Sequence, residues 1–190
     1  MGAVASRDAY LEVGVEALAE LGYNGLKLAE VCRRLGVTTG SFYHYFPNWG
    51  TYTDALLEHW SDARAVKVDE TKQGEPDPRK RIDTLVQRAL ALPHGAEAAI
   101  RVWSALDPKV YAMQCSVDQQ RFDAMSDAAF EILDDRHQAN VFASWGLYVL
   151  VGYEQSTVEH NAADLHWIAE QLLDALDSGR FTTVPGAPVG

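Results

Sequence analysis

The feature that most constrains this chain is the spacing of its apolar residues, which recur every three or four positions almost throughout. In the first such stretch, residues 6–21, they are Ala9, Tyr10, Val13, Ala17, Leu18 and Leu21. This spacing is that of an amphipathic helix with one buried side. No segment shows the two-residue alternation of a β-strand, and no internal repeat occurs. The pattern predicts an all-α fold of about nine helices.

Glycine and proline mark where these helices end. Gly22 and Gly36 follow the first two apolar stretches, and Pro47 prevents the third from continuing. Two prolines, a glycine and two acids make residues 73–78 the clearest linker. We expect a frayed tail over residues 182–190. The predicted helices span residues 6–21, 26–35, 38–46, 49–68, 78–92, 96–106, 108–133, 136–158 and 162–176.

Composition excludes several classes of protein. With 47% apolar residues the chain is neither disordered nor fibrous. Its overall net charge of −11 attracts neither nucleic acid nor an anionic membrane. The richest apolar run, residues 141–153, is too short for a bilayer span, and the first residues lack the layout of a secretory signal. We therefore expect a soluble, cytoplasmic chain.

Cys32 and Cys115 lack a CxxC partner, which favours free thiols, although a single disulfide stays open.

Residues 26–46 have the spacing of a helix-turn-helix. Two short helices are joined by a glycine turn, and Val37, Phe42 and Phe46 supply a small core with the first helix of the chain. Small or hydrogen-bonding side chains remain on the exposed side of the third helix, where a recognition helix meets base edges. They are Thr39, Gly40, Ser41, Tyr43, His44 and Tyr45.

The run from Leu28 to Phe46, LAEVCRRLGVTTGSFYHYF, resembles the DNA-binding signature of the tetracycline-repressor (TetR) family of transcriptional regulators. Gly-Val-Thr, Phe-Tyr and Tyr-Phe stand at the expected places, and the resemblance covers residues 6–60 in detail. It implies a helix-turn-helix domain over residues 1–48 and a ligand-binding and dimerisation domain over residues 49–190. It also implies a homodimer that binds a pseudo-palindromic operator in double-stranded DNA.

The sequence departs from the family pattern in its charges. Asn48-Trp49-Gly50-Thr51 stands where the family usually has a lysine, and Lys27 replaces a common threonine. The first 60 residues hold four Lys or Arg against seven Asp or Glu, a formal charge of −3. We therefore expect phosphate contacts mainly through hydroxyl and backbone N–H groups. The candidate DNA-binding residues are Thr39, Ser41 and His44 for bases, Tyr43, Tyr45, Thr38 and Lys27 for phosphates, and Gly40 for close approach of the backbone.

The C-terminal part is rich in aromatic and methionine side chains. Each of them alone is better explained as ordinary core, but together they permit an apolar cavity between helices, and the family resemblance implies an effector pocket there. The candidate ligand-binding residues are Trp103, Tyr111, Phe122, Met125 and Tyr148.

Residues 140–153 are apolar around most of the predicted helix, which therefore needs a partner on each side. Together with the last helix they suit a four-helix bundle between two copies, as the resemblance also implies. The candidate dimer-interface residues are Trp145, Gly146, Val149, Gly152, Tyr153, Ile168 and Leu172.

Nothing in the sequence indicates catalysis, a metal or a cofactor. The histidines form no HxxxH pair, and neither a Gly-x-Ser-x-Gly elbow nor a glycine-rich phosphate loop occurs. The favoured function is a repressor that a small hydrophobic or aromatic effector releases from its operator. A ligand-binding helical protein with a weakened or lost DNA-binding function is the alternative. A helical-bundle enzyme is a third class, and no residues support it.

Overall fold

The computed structural model describes residues 6–186, without the side chains of residues 66–69 and 72, and within these residues it contains helices and no β-strand. This confirms the predicted all-α fold. In the described part of the chain, no helix combines the length and the hydropathy that crossing a membrane requires. The helices are α1 (Arg7–Gly25), α2 (Leu28–Leu35), α3 (Thr39–Tyr45), α4 (Trp49–Gly74), α5 (Pro78–Leu90), α6 (His94–Ser104), α7 (Pro108–Leu133), α8 (Arg136–Gln155) and α9 (Ala162–Asp177), followed by a 3-10 helix (Arg180–Thr183).

Side-chain caps explain where several helices begin. The Ser6 hydroxyl accepts a hydrogen bond from the Ala9 N–H group at the start of α1 (3.2 Å). Asp77 caps α5 by accepting from the Arg79 N–H group (2.9 Å), directly before a proline at the first helical position. Gly22, with φ 68° and ψ −178°, interrupts α1 near its end, where an L side chain would be strained.

Several helix ends differ from the predicted ones, and α1 continues past Gly22 to Gly25. The helix α4 continues to Gly74 instead of ending near residue 68, and α6 begins two residues earlier, at His94. The helix α8 ends at Gln155 because Ser156 adopts extended backbone angles. In the expected frayed tail, Thr182 and Thr183 belong to the 3-10 helix, and residues 187–190 lie outside the described part of the chain.

The first compact unit consists of the residues up to Arg64 together with Pro93–Cys115. In it α1 packs on both α2 and α6. The approach of α6 to α1 is close, because a Cβ atom at Gly95 would lie 2.3 Å from the Ala19 carbonyl oxygen. Further along the same contact, the rings of Tyr23 and Trp103 stack with centroids 4.9 Å apart.

A buried carboxylate ties α4 to α6 in this first unit. Glu97 is 1% exposed, and its Oε1 atom accepts hydrogen bonds from the Trp60 indole N–H group (2.8 Å) and from Nε of Arg64 (3.0 Å). The Arg64 guanidinium also lies 5.5 Å from the centre of the Trp60 ring. A buried charge of this kind is tolerated only when it is paired and hydrogen-bonded.

The second compact unit consists of Ala65–Leu92 and the residues from Ser116 onward. Its α9 packs against α5, α8 and the 3-10 helix. Arg79 of α5 donates two hydrogen bonds of 2.7 Å to Asp177 of α9, which holds the pKa of that carboxyl below its usual range. The buried apolar core contains Ile82, Val86, Ala128, Ala129, Ala139, Phe142, Leu172, Ala175, Leu176 and Phe181.

The two compact units do not follow the domain boundary predicted after residue 48. Residues 93–115 pack with the N-terminal helices, although they follow residues 65–92 in the chain. Packing and function need not divide a chain at the same point. The division into residues 1–48 and 49–190 therefore stays a prediction about function.

Candidate functional site

An aromatic cluster lies beneath one side of α3. Tyr10, Phe42 and Tyr52 are fully buried, and Phe46 nearly so. The Phe42 ring lies edge-on to the Tyr10 and Tyr52 rings, with centroids 5.8 and 5.3 Å away. The Tyr52 hydroxyl donates to the Tyr10 carbonyl oxygen (2.9 Å), and burial raises the pKa of Tyr52. The cluster fixes one side of α3 and leaves its other side free.

The turn before α3 has the glycine conformation that a helix-turn-helix needs. Gly36 adopts φ 66° and ψ 30°, in the left-handed region. The Val37 N–H group donates to the Cys32 carbonyl oxygen (3.0 Å), which closes the end of α2. The chain can then leave α2 in a new direction and start α3 at Thr39, as the spacing of residues 26–46 predicts.

The exposed side of α3 carries the predicted DNA-binding residues. All of them except Lys27 belong to this helix or directly precede it. Thr38, Thr39, Gly40, Tyr43 and His44 are exposed, Ser41 and Tyr45 are half-buried, and Lys27 is exposed directly before α2.

A buried tyrosine orients the Ser41 side chain. Its Oγ atom accepts a hydrogen bond from the buried Tyr10 hydroxyl (2.9 Å). With that lone pair occupied, the Ser41 hydroxyl keeps its own proton to donate outward. Sequence reasoning misses this contact, because the helical spacing of Tyr10 indicates that the residue is buried and not where its hydroxyl points.

Ion pairs occupy two of the few cations near α3. Glu30 accepts from Nε and Nη2 of Arg33 (2.8 and 2.6 Å) and from Nε of Arg34 (2.7 Å). Arg34 also donates to Glu20 of α1 (2.7 Å). Hydrogen bonds from Arg33 and then Arg34 lower the pKa of Glu30 to about 2, so its carboxylate stays ionised near neutral pH.

The start of α4 is capped by an amide where the family usually has a lysine. The Asn48 Oδ1 atom accepts a hydrogen bond from the Thr51 N–H group at 2.9 Å. Trp49 belongs to the aromatic cluster, with its ring 4.8 Å from that of Tyr52. Asn48 thus stabilises the helix start without adding a positive charge.

The second unit contains a cleft with a volume of about 170 Å³. Ion pairs shape its wall: Arg81 pairs with Glu131 (2.5 Å) and Asp127 pairs with Arg136 (3.0 Å). None of the lining residues is among those predicted to bind ligand. The one sequence signal for the cleft is the spacing of Asp127 and Glu131, two acidic residues four positions apart on α7. The cleft is lined by Thr71, Arg81, Leu85, Ala124, Asp127, Ala128 and Glu131.

The predicted ligand-binding residues have different surroundings. Trp103 is buried in the first unit, where it stacks on Tyr23, and Tyr111 of that unit is exposed. In the second unit Met125 packs against the apolar core, Phe122 is half-buried, and Tyr148 is exposed. None of the five lines the cleft, so an effector site at these residues stays a prediction.

The predicted dimer residues on α8 and α9 are mostly accessible. Trp145, Gly152 and Ile168 are exposed, and Gly146, Val149 and Tyr153 are half-buried. Trp167, which is not among the predicted residues but precedes Ile168 directly, is exposed as well.

Leu172 corrects the predicted interface. It is 4% exposed and belongs to the core of its own chain, and a Cβ atom at Gly146 would lie 3.3 Å from its Cδ2 atom. Because α8 already covers this side chain, we remove Leu172 from the predicted dimer surface.

The potential metal ligands and the two thiols of the described residues are dispersed. Across the described residues, no three His, Cys, Asp or Glu side chains are grouped so that they could hold a metal ion. Both cysteines are free thiols: Cys32 is buried, which raises its pKa, and Cys115 is exposed.

These features define a class of protein, a helix-turn-helix protein with a further helical part. Residues 11–48 match the family described as bacterial regulatory proteins, tetR family. The HTH-type transcriptional repressor NemR of Escherichia coli K12 is 29% identical over 127 residues, which are 65% of this chain and 61% of NemR. The chain thus spans about three fifths of the length of that curated relative. The HTH-type transcriptional regulator BetI of E. coli O157:H7 is 26% identical over 74% of this chain and 75% of BetI.

Solved structures share the fold. The reduced form of E. coli NemR superimposes with a TM-score of 0.67 and 21% identity, covering 90% of this chain and 95% of NemR. A TetR transcription regulator from Haloarcula marismortui gives a TM-score of 0.72 and 15% identity, covering 90% of this chain and 96% of that one. The match over residues 11–48, the curated relatives and the shared fold together support a TetR-family regulator, as the signature predicts. Its relatives are regulators of transcription rather than enzymes.

Proposed function

We propose that the chain is a homodimeric repressor whose two heads, each made of α1, α2 and α3, bind a pseudo-palindromic operator in double-stranded DNA. The single observation that carries this proposal is α3 itself. One side of this helix is locked into the aromatic cluster, and its other side presents hydroxyl and imidazole groups to solvent. A helix with one side packed and its polar side exposed can enter a major groove without rearrangement.

The residues of α3 divide into two roles. Thr39, Ser41 and His44 contact base edges, and the Ser41 hydroxyl, which accepts from Tyr10, keeps its own proton to donate to a base. Gly40 lets the backbone approach the DNA closely. The phosphate contacts come from Thr38, Tyr43, Tyr45 and Lys27.

Replacing His44 with alanine should reduce discrimination between the operator and a mutated operator by about 1–3 kcal/mol, the usual worth of a good base contact. The measurement is a gel-shift titration on duplexes from the DNA upstream of the chain's own gene. Lys27→Ala is the matched control, since loss of a phosphate contact should weaken binding to all sequences alike. The division of roles is wrong if Lys27→Ala abolishes discrimination while His44→Ala leaves it unchanged.

The same titrations test how many phosphates are contacted. With few cations available, each head should neutralise two or three phosphates, so log affinity against log salt should have a slope of about −4 to −5 for the dimer. Lys27→Ala should make this slope shallower. If no duplex from the chain's own locus binds at low salt, the repressor proposal fails.

The dimer in this proposal forms through α8 and α9. In a single chain, large apolar side chains on these two helices lie open to water, chiefly Trp145, Tyr148, Trp167 and Ile168. Because α8 and α9 pack against each other, large exposed apolar side chains on this pair suit an interaction site. The two recognition helices of such a dimer should lie roughly 34–36 Å apart to enter successive major grooves.

Replacing Ile168 with arginine should convert dimers into folded monomers in sedimentation velocity, because the charge would be buried unpaired at a cost of several kcal/mol. Ile168 is 40% exposed in the single chain, so the monomer itself tolerates the change. Ile132→Arg on α7 is the matched control, at 38% exposure and outside the proposed interface. A well-folded, monomeric wild-type chain at micromolar concentration would contradict the proposal.

The effector in this proposal is a small hydrophobic or aromatic molecule. It binds beside Trp103 and Tyr111 of the first unit, or in the second unit, either beside Phe122, Met125 and Tyr148 or in the cleft. The 170 Å³ of that cleft compares with the roughly 150 Å³ of an engineered cavity that holds benzene. By favouring a conformer with wrongly spaced heads, the ligand would release the DNA through a population shift.

A ligand-binding protein with a weakened DNA function is the second candidate. The ion pairs that occupy Arg33 and Arg34 favour it, because they leave an acidic head with few cations free for phosphate. The gel-shift titration at low salt separates the two functions.

A further inference from the structure

The positive charge of the head lies in very few side chains. Residues 6–60 contain Arg7, Lys27, Arg33 and Arg34 as their only Lys or Arg residues. Arg7 lies over the Phe46 ring, 5.4 Å from its centre. The attraction between this head and DNA therefore depends strongly on the ion pairs that the two arginines of α2 make.

The two arginines share one carboxylate but differ in exposure. Arg33 is 69% exposed, and its Nε and Nη2 atoms bind Glu30 in a fork. Arg34 is 14% exposed and bridges Glu30 to Glu20 of α1. Arg34 is thus a structural tie between α1 and α2, whereas Arg33 is a surface cation that its own helix has neutralised.

A guanidinium fork binds carboxylate and phosphate with the same geometry. In a helix-turn-helix, the first helix of the motif crosses the DNA backbone. Arg33 lies on the exposed side of that helix, four residues after the exposed Ala29, so the two share one face. A phosphate on this face would meet an Arg33 group whose fork Glu30 already fills.

We propose that Glu30 competes with the DNA backbone for Arg33 and so sets the affinity of the head below what its cations could provide. The inference rests on the proposed DNA binding. Glu30 is a positioning residue that touches no DNA itself: it holds the Arg33 guanidinium away from phosphate. Because the contact at stake is to the backbone, the effect is independent of DNA sequence.

The test compares wild type with Glu30→Gln on a fluorescein-labelled duplex of arbitrary sequence, by fluorescence anisotropy across a salt series. One additional phosphate neutralised by each head should steepen the salt slope by about 0.9, or about 1.8 for the dimer. Lowering salt from about 200 to 50 mM should therefore raise the affinity ratio of variant to wild type roughly 12-fold. Glu30→Ala repeats the comparison without an amide oxygen that could still hold Arg33.

A double-mutant cycle separates competition from simple loss of negative charge. Arg33→Gln should change the slope little in the wild-type background, because the guanidinium is occupied there. In the Glu30→Gln background it should abolish the increase in slope. Glu16→Gln is the charge-matched control on the exposed side of α1 and should leave the slope unchanged.

The possible results distinguish the inference from the function on which it rests. Wild-type binding with an unchanged slope in both Glu30 variants would overturn the inference alone, as would a steeper slope that persists without Arg33. Binding by the Glu30 variants but not by wild type would support competition in its strongest form. No binding by any of the proteins at low salt would overturn the proposed DNA function and the inference with it.

Discussion

Replacing Arg64 with alanine is expected to cost about 3–5 kcal/mol of unfolding free energy, the usual result of removing one partner of a buried ion pair. Glu97 is 1% exposed, and Arg64 is the cation that pairs with its Oε1 atom. The variant would remove a hydrogen-bonded cation from a buried carboxylate. The contact between α4 and α6 should loosen, and urea unfolding monitored by circular dichroism measures the loss.

Two further variants make this result specific. Lys109→Ala removes an exposed ion pair of the same unit, Lys109 with Asp54 at 2.6 Å, and should cost less than about 1 kcal/mol. Glu97→Gln combined with Arg64→Met should recover most of the loss, because the amide oxygen can still accept from Trp60 while the buried charge is gone. Equal losses for Arg64→Ala and Lys109→Ala would refute the role assigned to the buried pair.

Gly95→Val should destabilise the chain by about 3 kcal/mol, at the upper end of what overpacking costs. The new Cβ atom would lie 2.3 Å from the Ala19 carbonyl oxygen and 3.1 Å from the carbonyl carbon of the same residue. These are backbone atoms, so no side chain can turn away to make room. Either α6 moves off α1 or the helix distorts.

Gly74→Ala is the comparison for this glycine. No atom lies within 4 Å of a Cβ placed there, so the substitution should leave the urea midpoint unchanged or raise it slightly. If Gly95→Val unfolds at the wild-type midpoint, α6 does not approach α1 closely.

The fold was largely predictable because its helices are bounded by residues with strong local preferences. Gly36, Pro47 and the Asp77-Pro78 pair mark helix boundaries through their own backbone chemistry, without help from distant residues. The end of α4 was not predictable in this way, since its last turns are polar and lack an apolar spacing. Phe181 anchors the 3-10 helix through the Phe142 ring, 5.3 Å away, a contact that the composition of the tail does not reveal.

The exposure of a site residue was predictable only where its neighbours along the same helix determine which side of that helix is buried. The exposed side of α3 follows from helical spacing once Phe42 and Phe46 are placed inside. Leu172 and Ile168 are four residues apart on α9, and the packing of neighbouring helices makes the first core and the second surface. The cleft depends likewise on how α5 and α7 meet, which no local pattern specifies.

The division of the first compact unit into two stretches of chain has a consequence for synthesis on the ribosome. The helix-turn-helix leaves the ribosome early, but the α6 residues that pair with Trp60 and stack on Tyr23 follow only after residues 65–92. Nascent domains generally fold as units once their residues are available. Translation therefore supplies α3 and its aromatic cluster first, and the α6 residues that pack on α1 late, so a half-made chain lacks part of the first compact unit.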